Sequence, residues 1–536
     1  MSHLSSGIQS LPDELVIAIL LHLDCRGVLR SSQTCRRLHA IVAASQALQY
    51  IVELSLTGAV DGQPACPLNI GERLQLLRAR KRRRREFQPE LALSFGIDCP
   101  TNDYVYDYVD GIFAIHYFVG DPGAEVSHLV AYDLSSATGS ETPLFHTQLD
   151  FLLLDFSIDP SRDLIVCAEL IPDHDIRDNG PDVYIHLRTL SSGGMSPPVE
   201  ARRSRLEVTD DTLTDPEDIS LHLASDMAAY FSQSTLYIWR WTTGSLLVCW
   251  EDLLSHHDWL NSFAFVSPHS FVITQSGTER GSLRLYALPS DDTAPTSESP
   301  EDRQNTRFYL PDLKSAHPAI LSVVAGPFST PCSAATNPED SILMIFLTDL
   351  NPRGRVRAQL CFVVRTSLFE RNLPSAQHIS SITTPPQHIR RLKWTDWGPE
   401  NSRLLPYITD SMHAARGAYG SRMFLPLHSD DNPEDEMVHT YFDFADTRDH
   451  VFLEARQTGA MPLGSLARTT KMRTTFKREI SGSHGLFKKH TDTLLPYHST
   501  EMTWTKGEDE VLLGDERFVR KTWLSTGKLQ LDVYDF

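Results

Sequence analysis

The chain has 536 residues, of which 41% are apolar, and it carries 49 basic and 69 acidic side chains. That length exceeds one ordinary core, so two or more folded units are expected. No run of 18 uncharged apolar residues occurs, and Met1–Ser10 lacks a basic stretch followed by an apolar one, so neither a membrane span nor a secretory leader is expected. Residues 1–90 hold a net charge of +4 and the remainder a net −24. An acidic body repels polyanions, which sets nucleic acid and anionic membrane aside as partners.

Eight cysteines, at positions 25, 35, 66, 99, 167, 249, 332 and 361, form no C-x-x-C pair. Such spacing argues against a disulfide framework and against a zinc module. Cys167, Cys249 and Cys361 fall in apolar strand-like runs, where a free thiol packs as a small hydrophobe.

Along the chain the first elements read as helices. Leu11, Leu15, Ile19 and Leu23 recur every four residues, with Val16 and Leu20 alongside, which predicts a helix with a broad apolar face. Pro12 suits its first turn and Ser10 is the expected cap. Asp24 and Thr34 are the expected caps of two further short helices, the first carrying Val28 and Leu29, the second Leu38, Ile41 and Val42. Three short helices bury little by themselves, so a partner surface is expected. Gly71–Glu86 reads as another helix, with Leu74 and Leu77 on its apolar side and six basic residues, Arg80, Lys81, Arg82, Arg83, Arg84 and Arg85, at its end.

After Pro89 short runs rich in β-branched and aromatic residues alternate with Gly, Pro, Asp and Ser. One unit repeats imperfectly. "LLDFSIDPSRDLIVCAELI", with Asp159-Pro160-Ser161-Arg162 as its turn, is one copy; "DISLHLASDMAAYFSQSTLYIWRWTTGSLLVCW" and "NSFAFVSPHSFVITQSGTERGSLRLYAL" are two more. A spacing of roughly 45–70 residues predicts a β-propeller of about seven blades. Thr209–Asp218, Ser290–Thr306 and Ser329–Ser341 read as flexible insertions, too polar to offset the entropy of ordering.

The segment "IQSLPDELVIAILLHLDCRGVLRSSQTCRRLHAIVAASQALQYIVEL" resembles the F-box motif. It has the Leu11-Pro12-x-Glu14-Leu15 opening, Ile19 and Leu23 down the first helix, Leu29 in the second, Thr34-Cys35-Arg36 leading to Leu38, and Leu48 and Ile51 at the end. The tryptophan common after the cysteine is replaced by Leu38-His39. The resemblance implies docking on a Skp-type adaptor that joins a cullin–RING scaffold, with Leu11, Pro12, Leu15, Ile19, Leu23, Leu29, Cys35 and Leu38 forming or supporting the contact. The β region resembles a divergent WD-repeat propeller: "TLYIWRWTTGSLLVCW" is similar to the last strand of such a repeat, and "STGKLQLDVYDF" to a closing strand, although Gly-His and Trp-Asp pairs are mostly missing. The basic stretch "ERLQLLRARKRRRREF" is similar to a connector between F-box and β domain in fungal proteins of this arrangement.

The expected fold is therefore α+β and multidomain: an F-box helical domain over 8–55, a linker with a basic helix over 56–89, and a β-propeller-like substrate-binding domain over 90–536. The expected function is that of a substrate-recognition adaptor of an SCF-type ubiquitin ligase, holding an unknown protein client; the alternative is an interaction scaffold outside ubiquitination. No catalytic residue, metal site or cofactor is expected. His256-His257-Asp258 lacks further ligands at helpful spacing, and Ser483-His484 lacks a nucleophile elbow. Arg80–Arg85 is a candidate nuclear localisation signal, or else a solvated bridging helix, and the expected compartment is cytoplasmic or nuclear. Ser299-Pro300 is a candidate phosphorylation site. Tyr237, Trp239 and Trp241 share a strand face and read as packing between blades.

Overall fold

In the computed structural model, the structure describes residues 10–57 and 68–86 and, between 89 and 535, all but 102, 122–124, 136–141, 172–182, 211–218, 233–234, 252–258, 278–279, 290–305, 315–318, 329–340, 352–355, 374–388, 407–416, 429–436, 445–485, 489–490, 492, 496 and 504–508. Almost all of the three polar insertions, together with His256-His257-Asp258, Ser483-His484 and Ser299-Pro300, lie outside the described residues.

Five helices open the chain: α1 (Asp13–Leu20), α2 (Cys25–Ser32), α3 (Arg36–Ala44), α4 (Gln46–Thr57) and α5 (Ile70–Glu86). The first three match the expected short helices, and α4 adds a fourth that carries Leu48 and Ile51. Val16 and Leu20 of α1 pack with Val28 of α2, Ile41 and Val42 of α3, and Leu48 and Val52 of α4. Leu74 and Leu77 of α5 form a separate small cluster with Tyr50 and Leu54 of α4.

The strands then build seven sheets. Blade 1 is β2 (Tyr104–Val109), β3 (Ile112–Val119), β4 (Val126–Asp133) and β5 (Phe145–Gln148). Blade 2 is β6 (Leu153–Asp159), β7 (Leu164–Leu170), β8 (Val183–Thr189) and β9 (Arg205–Val208). Blade 3 is β10 (Ser220–Ala224), β11 (Met227–Phe231), β12 (Leu236–Arg240) and β13 (Ser245–Trp250). Blade 4 is β14 (Trp259–Ser267), β15 (Ser270–Ser276), β16 (Ser282–Ala287) and β17 (Thr306–Tyr309), extended by β21 (Arg390–Leu392), which pairs parallel to β17. Blade 5 is β18 (Ile320–Ala325), β19 (Ile342–Leu350), β20 (Val356–Arg365) and β22 (Ser402–Pro406). Two short helices, α6 (Ser367–Glu370) and α7 (Trp394–Asn401), lie between its last two strands. Blade 6 is β23 (Ala418–Tyr419), β24 (Arg422–His428), β25 (Met437–Asp443) and β26 (His498–Thr503).

Blade 7 joins the two ends of the β region. Its strands β27 (Asp509–Leu513), β28 (Arg517–Trp523) and β29 (Lys528–Asp535) are completed by β1 (Glu90–Asp98), which pairs antiparallel to β29 from Glu90↔Asp535 to Asp98↔Lys528. Each neighbouring pair of blades buries its own apolar cluster. Ile165 and Ala114 meet between blades 1 and 2, Val166 and Trp239 between 2 and 3, Ile238 and Phe271 between 3 and 4. Leu283 meets Leu343 between blades 4 and 5, Val363 meets Leu425 between 5 and 6, and Phe424 meets Phe518 between 6 and 7. Leu531 and Ile115 close the ring between blades 7 and 1. The alternation of a pleated strand makes this possible: one face serves one neighbour and the opposite face the other.

Candidate functional site

The helical head is where the expected site residues fall. In α1 the two faces have different fates. Val16 and Leu20 are buried, whereas Leu15, Ile19 and Leu23 remain 52%, 44% and 38% exposed. A four-residue spacing advances 400° around a helix, so Leu15 and Ile19 stack along one side, and Leu23 continues the row just past the helix end. Leu11, at the other end of the row, is half-buried against the helical core. Leu21, the C-cap of α1, is also exposed, but it lies on another side of the helix.

The helix is held by geometry that the sequence showed only in part. Its N-cap is Pro12, with no side-chain cap, so Ser10 does not serve. The N–H groups of Leu15 and Val16 instead turn back to the Pro12 carbonyl at 3.2 Å. Asp24 does cap α2, its carboxylate accepting the Gly27 N–H at 2.7 Å. Gly27 sits close beneath this cap: a Cβ there would lie 2.9 Å from the Asp24 carboxylate and 3.0 Å from Leu23 Cβ, so a larger residue would have to push the carboxylate aside. Thr34 does not cap α3. Its hydroxyl donates to the Ser31 carbonyl at 2.8 Å, and the N-cap is Cys35, whose side chain makes no capping bond. The Thr34 hydroxyl thus closes the preceding helix, and the start of α3 is left without a side-chain acceptor at its N-cap.

Arg37 of α3 was not singled out by the sequence. Its guanidinium donates to the Leu11 carbonyl at 2.5 Å and to the Asp13 carboxylate at 2.6 Å. Leu29 and Leu38 are half-buried against the same core as Leu11, Cys35 is half-buried, and Pro12 is exposed. The structure thus brings the eight candidates into one small head but divides them, with Pro12, Leu15, Ile19 and Leu23 open and Leu11, Leu29, Cys35 and Leu38 beneath or beside them.

The linker helix starts one residue earlier than expected, because Asn69 and Glu72 cap it reciprocally: the Glu72 N–H donates to Asn69 at 3.0 Å and the Asn69 N–H to Glu72 at 2.8 Å. Arg78 reaches back to Gln49 at 2.7 Å, tying α5 to α4. Of the basic run, Arg82 is exposed, and the side chains of Arg80, Lys81, Arg83, Arg84 and Arg85 lie outside the described residues.

In the β body a cavity of about 200 Å³ opens among the inner strands of blades 1–5, lined in part by Tyr106, Asp155, Ser220, His222, Phe265 and Phe328. Its polar groups serve the frame. Asp155 accepts the Leu221 N–H at 2.8 Å, bridging blades 2 and 3, and His222 meets the Ser220 hydroxyl at 3.0 Å. Tyr237, Trp239 and Trp241 are all buried between blades 2 and 3, as expected, with the Trp241 indole donating to the Ser225 carbonyl at 3.1 Å. Among the described residues no group of three or more His, Cys, Asp or Glu is placed to hold a metal ion, and no described helix is long and apolar enough to cross a membrane.

The F-box-like family matches residues 8–48. No curated protein matches the chain. Similar solved structures include the WD40 domain of SCAP from fission yeast (6% identity, 84% of this chain and 98% of that chain, TM-score 0.35) and Hsv2 from Kluyveromyces lactis (8%, 81% and 98%, 0.34). Sqt1 from Chaetomium thermophilum is a third (12%, 84% and 98%, 0.32). At that level of likeness the blade count rests on the chain's own strand order.

Proposed function

Starting from a chain that carries an F-box-like domain ahead of a seven-bladed β-propeller, we propose that it is a substrate-recognition adaptor of an SCF-type cullin–RING ubiquitin ligase. The helical head docks on a Skp-type adaptor and the β body presents a protein client. Ubiquitin transfer is then performed by the partners, and this chain contributes proximity.

One observation carries the reading. Leu15 and Ile19 of α1, and Leu23 just past its end, stay open to solvent while the neighbouring face carrying Val16 and Leu20 is sealed by the head's own core. A row of apolar side chains on a helix is the anchor set of a helix-in-groove interface, where a few buried residues supply most of the affinity. In this reading Pro12, Leu15, Ile19 and Leu23 form the contact, and Leu11, Leu29, Cys35 and Leu38 support it from beneath or beside. The divisions at 8–55, 56–89 and 90–536 are the corresponding working units. Arg80–Arg85 would serve as a nuclear import signal, placing the protein in cytoplasm and nucleus.

The test is co-purification of the full chain with a Skp-type adaptor and a cullin. Leu15→Asp combined with Ile19→Asp places two carboxylates in the dry centre of the contact, and adaptor affinity should fall at least a hundredfold, equivalent to roughly 3 kcal/mol. Because neither side chain belongs to the buried core of the head, thermal unfolding should change little. Undiminished binding by the double variant would sink the docking row. Binding of the adaptor without the cullin would move the assignment to a scaffold acting outside ubiquitination.

A further inference from the structure

We propose that Arg37 is a positioning residue for the docking row: it acts on the partner through Leu11 and Pro12 rather than by touching the partner. The inference rests on the adaptor reading above. Helix α1 has only eight residues, well short of the ~12–15 at which isolated helices become even marginal. Its N-terminus has no side-chain cap, and that is the end from which Leu11 and Pro12 project. What fixes it comes from another helix. A single Arg37 nitrogen, Nη2, donates to the carbonyl of Leu11 and to the carboxylate of Asp13, so the two residues that flank Pro12 are clasped to α3 by one group.

The pair is 36% exposed on the Arg37 side and 60% on the Asp13 side. Ion pairs so exposed contribute little to global stability. The consequence of losing the clasp should therefore appear in the geometry offered to a partner, because a contact surface that is not preorganised must be ordered on binding. That separates a positioning role from a merely stabilising one.

The experiment titrates the purified full chain with a Skp-type adaptor protein by calorimetry. Arg37→Ala should weaken binding about tenfold while the unfolding midpoint stays unchanged. Asp13→Ala, which leaves the Leu11 carbonyl bond, should weaken it less, about threefold. If Arg37 works through Leu11 and Pro12, its effect disappears with their side chains: in a Leu11→Ala, Pro12→Ala chain, adding Arg37→Ala will change binding less than about twofold, so the effects will not multiply. Multiplying effects, or an Arg37→Ala chain within twofold of the parent, would overturn the positioning role while leaving the adaptor reading intact. A parent chain that does not bind at all, or binds regardless of Leu15→Asp with Ile19→Asp, overturns both.

Discussion

His116, in the second strand of blade 1, is buried and edges against the ring of Phe118 at 4.7 Å. Burial, helped by the charge of nearby His128, pushes its imidazole down from the ordinary 6.5 to about 4. The folded chain therefore refuses a proton that the unfolded chain accepts between those two values. Stability should fall as pH drops from about 6.5 toward 4, by roughly 1.4 kcal/mol for each unit and about 3 kcal/mol in all. His116→Leu should flatten this slope, as measured by urea midpoints at pH 7 and pH 5. Parallel losses in parent and variant would place the source elsewhere. At this scale the sequence was readable where a side chain obeys a local pattern: Val16, Leu20, Trp239 and Trp241 are buried as their periodicity demands. It was not readable where a bond crosses elements. Arg37 reaches back 26 positions to Leu11, and no periodicity announces such a contact.

Among the elements, the described end of the excursion between the third and fourth strands of blade 6 touches two other blades. Phe487 forms a bridge with Leu313, and the Lys314 and Lys488 N–H groups bond the Leu486 and Asp312 carbonyls at 2.7 and 2.8 Å. Further on, the Leu494 and Leu495 N–H groups bond Pro399 and Ser402, while Arg403 holds the carbonyls of Thr493 and Leu495. A piece of blade 6 thus lies along blade 5 and ends in the cluster shared by blades 4 and 5. Truncating its buried ring, Phe487→Ala, should cost about 3 kcal/mol, seen as a lower denaturant midpoint at unchanged slope. The same excursion explains why the repeat was legible only through the first blades. The copies beginning at Leu153, Asp218 and Asn261 keep their strands close together, so the turn at Asp159-Pro160-Ser161-Arg162 and the Thr243-Gly244 turn, with Gly244 at φ +71°, could be read directly. In blades 5 and 6 the fourth strand is displaced by residues 366–401 and 444–497, and β23 has only two residues, which erases the spacing. Trp394-Thr395-Asp396-Trp397 proves to be the first turn of α7, packing Trp397 under blade 4.

For the molecule as a whole, closure is the controlling fact. Seven clusters serve seven junctions, so no blade is terminal and none can leave without uncovering two neighbours. At the final junction Lys521 is buried against Glu510 at 2.5 Å, with its ammonium 3.8 Å from the Tyr106 ring centre, and Tyr106 itself donates to Glu510 at 2.6 Å. A chain beginning at residue 89 should unfold in one cooperative transition. One beginning at residue 99 lacks the outer strand of blade 7, and should show a broadened transition and exposed apolar surface by dye binding. Two coincident, sharp transitions would refute this view of closure.

Strand β1 pairs with β29, and roughly 430 residues separate them. At the ~5–20 residues per second of ribosomal synthesis, β1 is left for about 20–90 s without its mate. The four helices of the head end at Thr57 and can pack during that interval, whereas the ring of blades cannot close until β29 has been made. On the adaptor reading proposed above, a chain cut anywhere in blade 7 would therefore keep its docking head and lose the closed body that is to present a client.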